Sequence, residues 1–457
     1  MKRTAEKTIK TWYSQAKRKP LIVRGARQVG KSTLVRQVAE GLGVPLWEVN
    51  LERFPDLDEA FGSFDVTRIL QEISLRLNLR GVGRGPGVLF LDEIQAAPKA
   101  LAALRYFHED RPDLPVISAG SLLELTLSKA RLSMPVGRIE YLWMGPMTFF
   151  EFLEARSEDL LLETLRRFRL DEAFPAAAHE RLLPLLREYL LVGGMPEAVA
   201  RFVESRDPVE AAEVHRSIIE TYKDDFSKYA SGAELERLRR VYEMLPSAIA
   251  EKIRYKHFHP DWRSADIRAC LELLQRAGIA SAAPHTDGTG LPLGATEDPT
   301  VAKLFHLDVG LVGTSTGLGM GPLGDFVTGR FINEGTRAEQ FVAQHLLRSG
   351  PASQQPKLHY WQRAGRSTNA EVHFLVENGT EVLPIEVKSG ASGGLRSLHQ
   401  FMLLHPGGVA LRLDLNPPSR QEIRTEVMTA KGRQSAHYLL QNLPLYLVER
   451  ATELLGD

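Results

Sequence analysis

Gly25, Gly30, Lys31 and Ser32 stand in RGARQVGKST, residues 24–33, at the spacing G-x-x-x-x-G-K-[ST]. Glycines at these positions let a backbone curl until successive N–H groups face one anion. A lysine adds charge for a polyphosphate tail, and a hydroxyl offers a hard oxygen to Mg2+. The apolar run PLIVR enters the loop and the helix-compatible LVRQVAEGLG leaves it. Arg27, Gln28, Val29 and Thr33 therefore join Gly25, Gly30, Lys31 and Ser32 as the expected nucleotide-binding set. The competing reading is a surface turn that happens to hold two glycines and a lysine.

A second feature favours chemistry. GVLFLDEIQ places Asp92 and Glu93 at the end of an apolar run, about sixty residues after the loop. Ligands of open α/β sheets sit at strand ends. Asp92 is expected to hold Mg2+ with Ser32, and Glu93 to orient or deprotonate the water that attacks ATP. The bland reading is an acidic helix cap. On the next strand, PVISAGS, Ser118 is assigned to sensing the γ-phosphate, while Ser121 reads equally well as a helix cap. Arg138, in MPVGRIEYLW, has two readings: an arginine presented to a neighbouring subunit's γ-phosphate, or a surface ion pair.

These groups need a scaffold. From residue 20 to about 120, the runs LIVRG, PLWEVNLE, GVLFLDE and LPVISAG alternate with amphipathic stretches, which predicts an α/β domain with a mainly parallel sheet. Leu-rich helical patterns follow, from MTFFEFLEARSEDLLLETLRRF to RLLPLLREYLLVGG, and predict a helical lid. Further helices lead into two strands around a Gly/Thr/Pro loop, GIASAAPHTDGTGLPLGATEDPTVAKLFHLD, the pattern of a winged helix. After the Gly-rich GTSTGLGMGPLGDFVTG comes a last α/β unit. The expected domains are 1–150, 151–207, 208–318 and 331–457.

Composition narrows the classes. Lys+Arg 57 against Asp+Glu 57 gives a formal net charge of zero, so any polyanion site is local. One cysteine, Cys270, excludes an intramolecular disulfide and any multi-cysteine metal cluster. No run has the uninterrupted apolar length of a bilayer span, and the expectation is a soluble cytoplasmic protein with no membrane partner.

GARQVGKST, LFLDEIQ, AGSLLE, PVGRIEYLWMGPMTFFEFL and YLLVGGMPEAV together resemble a group of bacterial and archaeal AAA-type ATPases. EGTRAEQFVAQHLL, YWQR, AEVHFLVE and PIEVKSG resemble that family's C-terminal domain of unknown function, a relative of PD-(D/E)XK nucleases. The resemblance spans nearly the whole chain. It implies an α/β multidomain protein: a P-loop AAA-type parallel-sheet domain with helical lid, a winged-helix-like middle domain and a restriction-endonuclease-like C-terminal domain. It also implies ATP and Mg2+ as cofactors and a homo-oligomer, in some relatives a ring. GGMPE resembles the glycine-proline motif of signal-transducing P-loop ATPases, which brings the backbone near Pro196 toward the nucleotide base.

In the nucleases of that superfamily a helix Glu, a strand Asp and a Glu-x-Lys converge on Mg2+. The resemblance carries Glu339 onto the helix position and Glu386 with Lys388 onto the Glu-x-Lys. Where the family has Asp, this chain has His373, a poor Mg2+ ligand, and Glu371 shares its strand face. An active nuclease and an inactive structural or DNA-holding domain both remain open, with the inactive form favoured. Ahead of the expected wing, Lys252, Arg254, Lys256, Arg263 and Arg268 interleave with Tyr255, Phe258 and Trp262 as a candidate DNA interface. Asp261, Asp266 and Glu272 interrupt it, and a protein-binding face is the alternative.

Overall fold

The computed structural model describes residues 1–120, 123, 134–317, 334–363, 370–390, 393–429 and 432–456. The expected cap at Ser121 and most of the Gly-rich boundary lie outside these residues. The chain forms two compact units, one of Lys2–Gly145 with Pro351–Pro356, the other of Pro146–Gly350 with Lys357–Asp457.

In the first unit, α1 (Ala5–Tyr13) precedes β1 (Leu21–Arg24), α2 (Lys31–Leu42) and β2 (Leu46–Asn50). Then come α3 (Leu57–Phe61), α4 (Val66–Leu77), β3 (Val88–Asp92), α5 (Pro98–Asp110), β4 (Val116–Gly120) and β5 (Glu140–Trp143). The five strands are all parallel in the order β2-β3-β4-β1-β5. β3 and β4 are buried at every position, as their near-continuous apolar sequences require of strands covered on both faces. Ile22, Leu89 and Leu91 of the sheet share a core with Phe61, Ile69, Leu104 and Phe107 of the helices. Helix α2 starts after Gly30 and stops at Gly43, both left-handed, and buries Leu34, Val35, Val38 and Ala39 along one face.

The second unit opens with six helices: α6 (Phe149–Ala155), α7 (Asp159–Arg167), α8 (Ala176–Val192), α9 (Pro196–Ser205), α10 (Pro208–Asp225) and α11 (Gly232–Met244). Next are α12 (Tyr255–Phe258), α13 (Ser264–Arg276), the antiparallel pair β6 (Ala280–Thr286) and β7 (Glu297–His306), α14 (Val309–Ser315) and α15 (Glu334–Ser349). The last elements are β8 (His359–Gln362), β9 (Glu371–Asn378), β10 (Glu381–Val387), α16 (Arg396–Leu404), β11 (Val409–Asp414), β12 (Ser419–Thr429), β13 (Gly432–Pro444) and α17 (Ala451–Gly456).

One mixed sheet, in the order β12-β13-β11-β10-β9-β8-β6-β7, runs through the C-terminal strands and the hairpin. The join is β6 to β8, in parallel, at His285 and Tyr360. The segments expected as lid, winged-helix and nuclease-like domains fall in one compact unit. The expected hairpin is there, but β8 covers the edge that an isolated wing would leave unpaired.

A buried carboxylate organises this unit. Asp308, with no exposed surface, caps α14 by accepting from Gly310 N at 2.9 Å and Leu311 N at 3.1 Å through Oδ1. Its Oδ2 accepts from Gly194 N at 2.7 Å and from Gln344 Nε2 at 3.1 Å. Gln344 also donates to the Tyr189 hydroxyl, which donates to Met147 O at 2.5 Å, while Met147 N donates to Gly194 O at 2.6 Å. The glycines of GGMPE follow from this crowding: a Cβ on Gly193 would meet Asp308 Oδ1 at 2.1 Å, and one on Gly194 would meet Met147 O at 2.1 Å. Asp308→Ala would strand three buried N–H groups, so we expect a stability loss of about 3 kcal/mol or more. Urea unfolding measures it, and a loss below about 1 kcal/mol would contradict the role given to Asp308.

Candidate nucleotide site and C-terminal acidic cluster

Between β1 and α2 the loop turns through Gly25 at φ 148°, Gln28 at φ 64° and Gly30 at φ 90°. Gly25 admits no side chain, since a Cβ would stand 2.1 Å from Met144 O. Because α2 begins at Lys31, its first-turn N–H groups have no acceptor within the helix and face the loop's concavity. Lys31 Nζ bends back onto Gly25 O at 3.0 Å and Ala26 O at 2.7 Å. Burial pushes its pKa down to about 8, against the opposing pull of Glu93 and Asp92.

Ser32 Oγ donates to Asp92 Oδ2 at 2.8 Å, which joins the start of α2 to the end of β3. Burial raises the pKa of Asp92, an effect partly offset by the Ser32 bond. The next residue, Glu93, takes a left-handed φ of 53°, accepts from Gln95 Nε2 and lies 3.9 Å from Arg27 Nη1. The structure thereby gathers Gly25, Arg27, Gly30, Lys31, Ser32, Asp92 and Glu93 at one end of the sheet. It adds a residue that the sequence did not single out. Arg3 is bonded to Val29 O at 2.8 Å and to Gly145 O at 2.7 Å, fastening the loop to the end of its unit.

Two expected residues fall elsewhere. Ser118 pairs in register with Ile22 and Leu91, both in the helix-covered core. Asp92 follows Leu91 on β3, so strand alternation turns its side chain to the opposite face. Ser118 is fully buried, and its hydroxyl lacks a hydrogen-bond partner. Arg138 forms the ion pair of its second reading, with Nε 2.9 Å from Glu109 Oε1 on α5. Pro196 opens α9, in the second unit.

Residues 17–153 match the model of an AAA domain. The match suggests ATP binding and hydrolysis and implies a P-loop ATPase, in agreement with the loop geometry of the first unit. Residues 183–321 match a domain of unknown function (DUF8612), and residues 334–427 match another (DUF4143). No curated protein matches the chain. No described helix is long and apolar enough to cross a membrane.

The C-terminal candidates come together around a residue that sequence reasoning missed. Lys303, on β7 and 2 % exposed, places Nζ 2.9 Å from Glu339 Oε2 and 2.5 Å from Glu371 Oε1. His373 stands between Glu339 and Glu386, with Nε2 3.3 Å from Glu339 Oε1 and Nδ1 3.1 Å from Glu386 Oε2. Lys388 Nζ donates to Glu386 Oε1 at 2.7 Å. Val387 N and Glu386 compete for His373 Nδ1, at 3.0 Å and 3.1 Å, and the carboxylate is satisfied only when that nitrogen carries a proton. Burial opposes the imidazolium, but Glu339 and Glu386 outweigh it and raise the pKa. The signal in the sequence was a lone lysine inside the apolar run VAKLFHL.

The candidate DNA residues lie on and around α12 and α13. Helix α13 buries Ile267, Cys270, Leu271 and Leu274 and leaves Arg268 outside. Arg254 and Lys256 are exposed. Arg263 pairs with Asp266 at 3.2 Å, and Arg268 Nε donates to the Tyr255 hydroxyl at 3.3 Å. Lys252, its side chain 41 % exposed, stands 4.0 Å from Glu371.

Proposed function

We propose that the chain is an Mg2+-dependent ATPase that hydrolyses ATP to ADP and phosphate in its first unit and holds DNA with its second. The nuclease-like region in this reading grips without cutting. The observation that carries the ATPase is the 2.8 Å contact of Ser32 and Asp92 beside Lys31.

That donor set fits Mg2+: a hydroxyl and a carboxylate, both hard oxygens, at the mouth of a helix N-terminus. When bound, the ion would neutralise charge on the phosphate oxygens. The backbone from Arg27 to Thr33 cradles the phosphates, and Lys31 exchanges its two carbonyl partners for phosphate oxygens. Glu93, beside Asp92 and steadied by Gln95, aligns the attacking water and receives its proton.

Lys31→Ala is expected to lower ATP turnover at least about 100-fold, and unchanged turnover would refute the site. The lysine also sets a pH dependence. Its free-state pKa is about 8, and phosphate stabilises the ammonium. Binding therefore takes up a proton at higher pH: wild-type ATP affinity is level below about pH 8 and weakens above it. Calorimetry in buffers of different ionisation heat measures the uptake, which Lys31→Ala should lack.

The DNA part rests on the exposed cations Arg254, Lys256, Arg263 and Arg268. If all four meet phosphates, affinity falls about 100-fold between roughly 50 and 200 mM salt. A flat gel-shift titration favours the second reading, a nucleotide-driven switch acting on a protein partner. The Arg263–Asp266 pair speaks for that rival, because it spends one of the cations internally. An active ATP-dependent nuclease is a third reading, which the lack of strand cleavage in Mg2+ or Mn2+ would remove.

The proposal extends to a homo-oligomer in which Arg138 leaves Glu109 for a neighbour's γ-phosphate, since its guanidinium is 44 % exposed. Light scattering should then show larger particles with nucleotide than without, and a monomer in both conditions defeats the idea.

A further inference from the structure

A nuclease of the family that the C-terminal motifs resemble would bring carboxylates together around a divalent cation. Here the carboxylates are together, and ammonium or imidazole nitrogens stand within 4.0 Å of their oxygens. Glu339 gives Oε2 to Lys303 at 2.9 Å and Oε1 to His373 at 3.3 Å. Glu386 gives Oε1 to Lys388 at 2.7 Å and Oε2 to His373 at 3.1 Å. Glu371 gives Oε1 to Lys303 at 2.5 Å and has Lys252 4.0 Å from Oε2. Three carboxylates thus face three lysines and an imidazole. Mg2+ demands oxygens with lone pairs to spare. This donor set does not fit it.

The cation inside the cluster is covalently part of the chain. Lys303 is anchored on β7, where it is bridged to Lys252, and its Nζ lies 5.7 Å from the centre of the Tyr360 ring. Its two carboxylate partners come from α15 and β9, so one ammonium ties the hairpin to both a helix and the central sheet. Burial lowers the pKa of Lys303, but Glu339 and Glu371 reverse the effect and leave it above the ordinary value.

We infer that Lys303 is a built-in replacement for the divalent cation: its ammonium closes the nuclease-like cluster to metal and pins the β6–β7 hairpin onto the C-terminal sheet. Removing it frees Glu339 Oε2 and Glu371 Oε1, two hard oxygens with room beside them for Mn2+ and water. The inference is independent of the ATPase reading, since it concerns metal held far along the sequence from Ser32 and Asp92.

The test counts Mn2+ bound per nucleotide-free full-length chain by electron paramagnetic resonance. Wild type and Glu339→Gln should bind equal numbers of ions, any ion at Asp92 being common to both. Lys303→Ala should bind one more than wild type, and the double variant Lys303→Ala/Glu339→Gln should lose it. Loss of an ion in Glu339→Gln relative to wild type would overturn the inference, as would a folded Lys303→Ala that gains none. Should circular dichroism show that Lys303→Ala does not fold, the comparison of wild type with Glu339→Gln decides: equal counts uphold the closed site, and unequal counts reject it.

Discussion

A carboxylate taken out of water must be met by donors or by cations, and three places in this chain meet that demand differently. Asp92, 7 % exposed, accepts from one hydroxyl and from its neighbour's amide at 3.1 Å, and burial leaves its pKa raised. Asp308 accepts from three amides and a carboxamide. Glu339 and Glu386 each face a lysine and the His373 imidazole. The first carboxylate is short of partners, the second is a fixed joint of the fold, and the last two are surrounded by basic side chains. The same chemical group thus takes three different settings according to its partners.

The distinction also explains which motifs were legible. RGARQVGKST works through contiguous backbone, a strand, a turn and a helix, so its spacing alone anticipated the loop that forms. Asp92 was readable because an apolar strand has to end where solvent begins. The surroundings of Ser118 follow from strand geometry. β4 continues to Gly120, and period-two alternation turns Ser118 toward Ile22 and Leu91. GGMPE was recognisable as a pattern, but Gly193 answers to Asp308, more than a hundred residues away, and Gly194 to Met147, and no local rule connects them.

The hairpin shows the same limit at the scale of elements. Its two strands and loop were visible as turn chemistry, whereas its membership of an eight-stranded sheet depends on β8, which lies beyond a long helix. Lys303 belongs to this class of information. A lysine in VAKLFHL is costly unless paired, and that cost is a signal. Its partners Glu339 and Glu371 are supplied by α15 and β9, elements that the sequence described without saying which would pack beside β7.

Charge spent inside the second unit is not available outside it. Lys303, Lys388 and His373 face the carboxylates of the cluster, and Lys252, 41 % exposed, stands 4.0 Å from Glu371, which leaves Arg254, Lys256, Arg263 and Arg268 as the candidate cations away from that cluster. These four are not equivalent. Arg263 faces a carboxylate, Asp266, that Arg237 also approaches at 3.9 Å, and moving it to a phosphate exchanges one anion for another. Arg268 is bonded to a phenol, which carries no charge, and keeps its full attraction for an anion. A polyanion approaching this face therefore gains most from Arg254, Lys256 and Arg268, and a net formal charge of zero for the whole chain does not oppose it, because exposed charges more than about 10 Å away are screened at ordinary ionic strength.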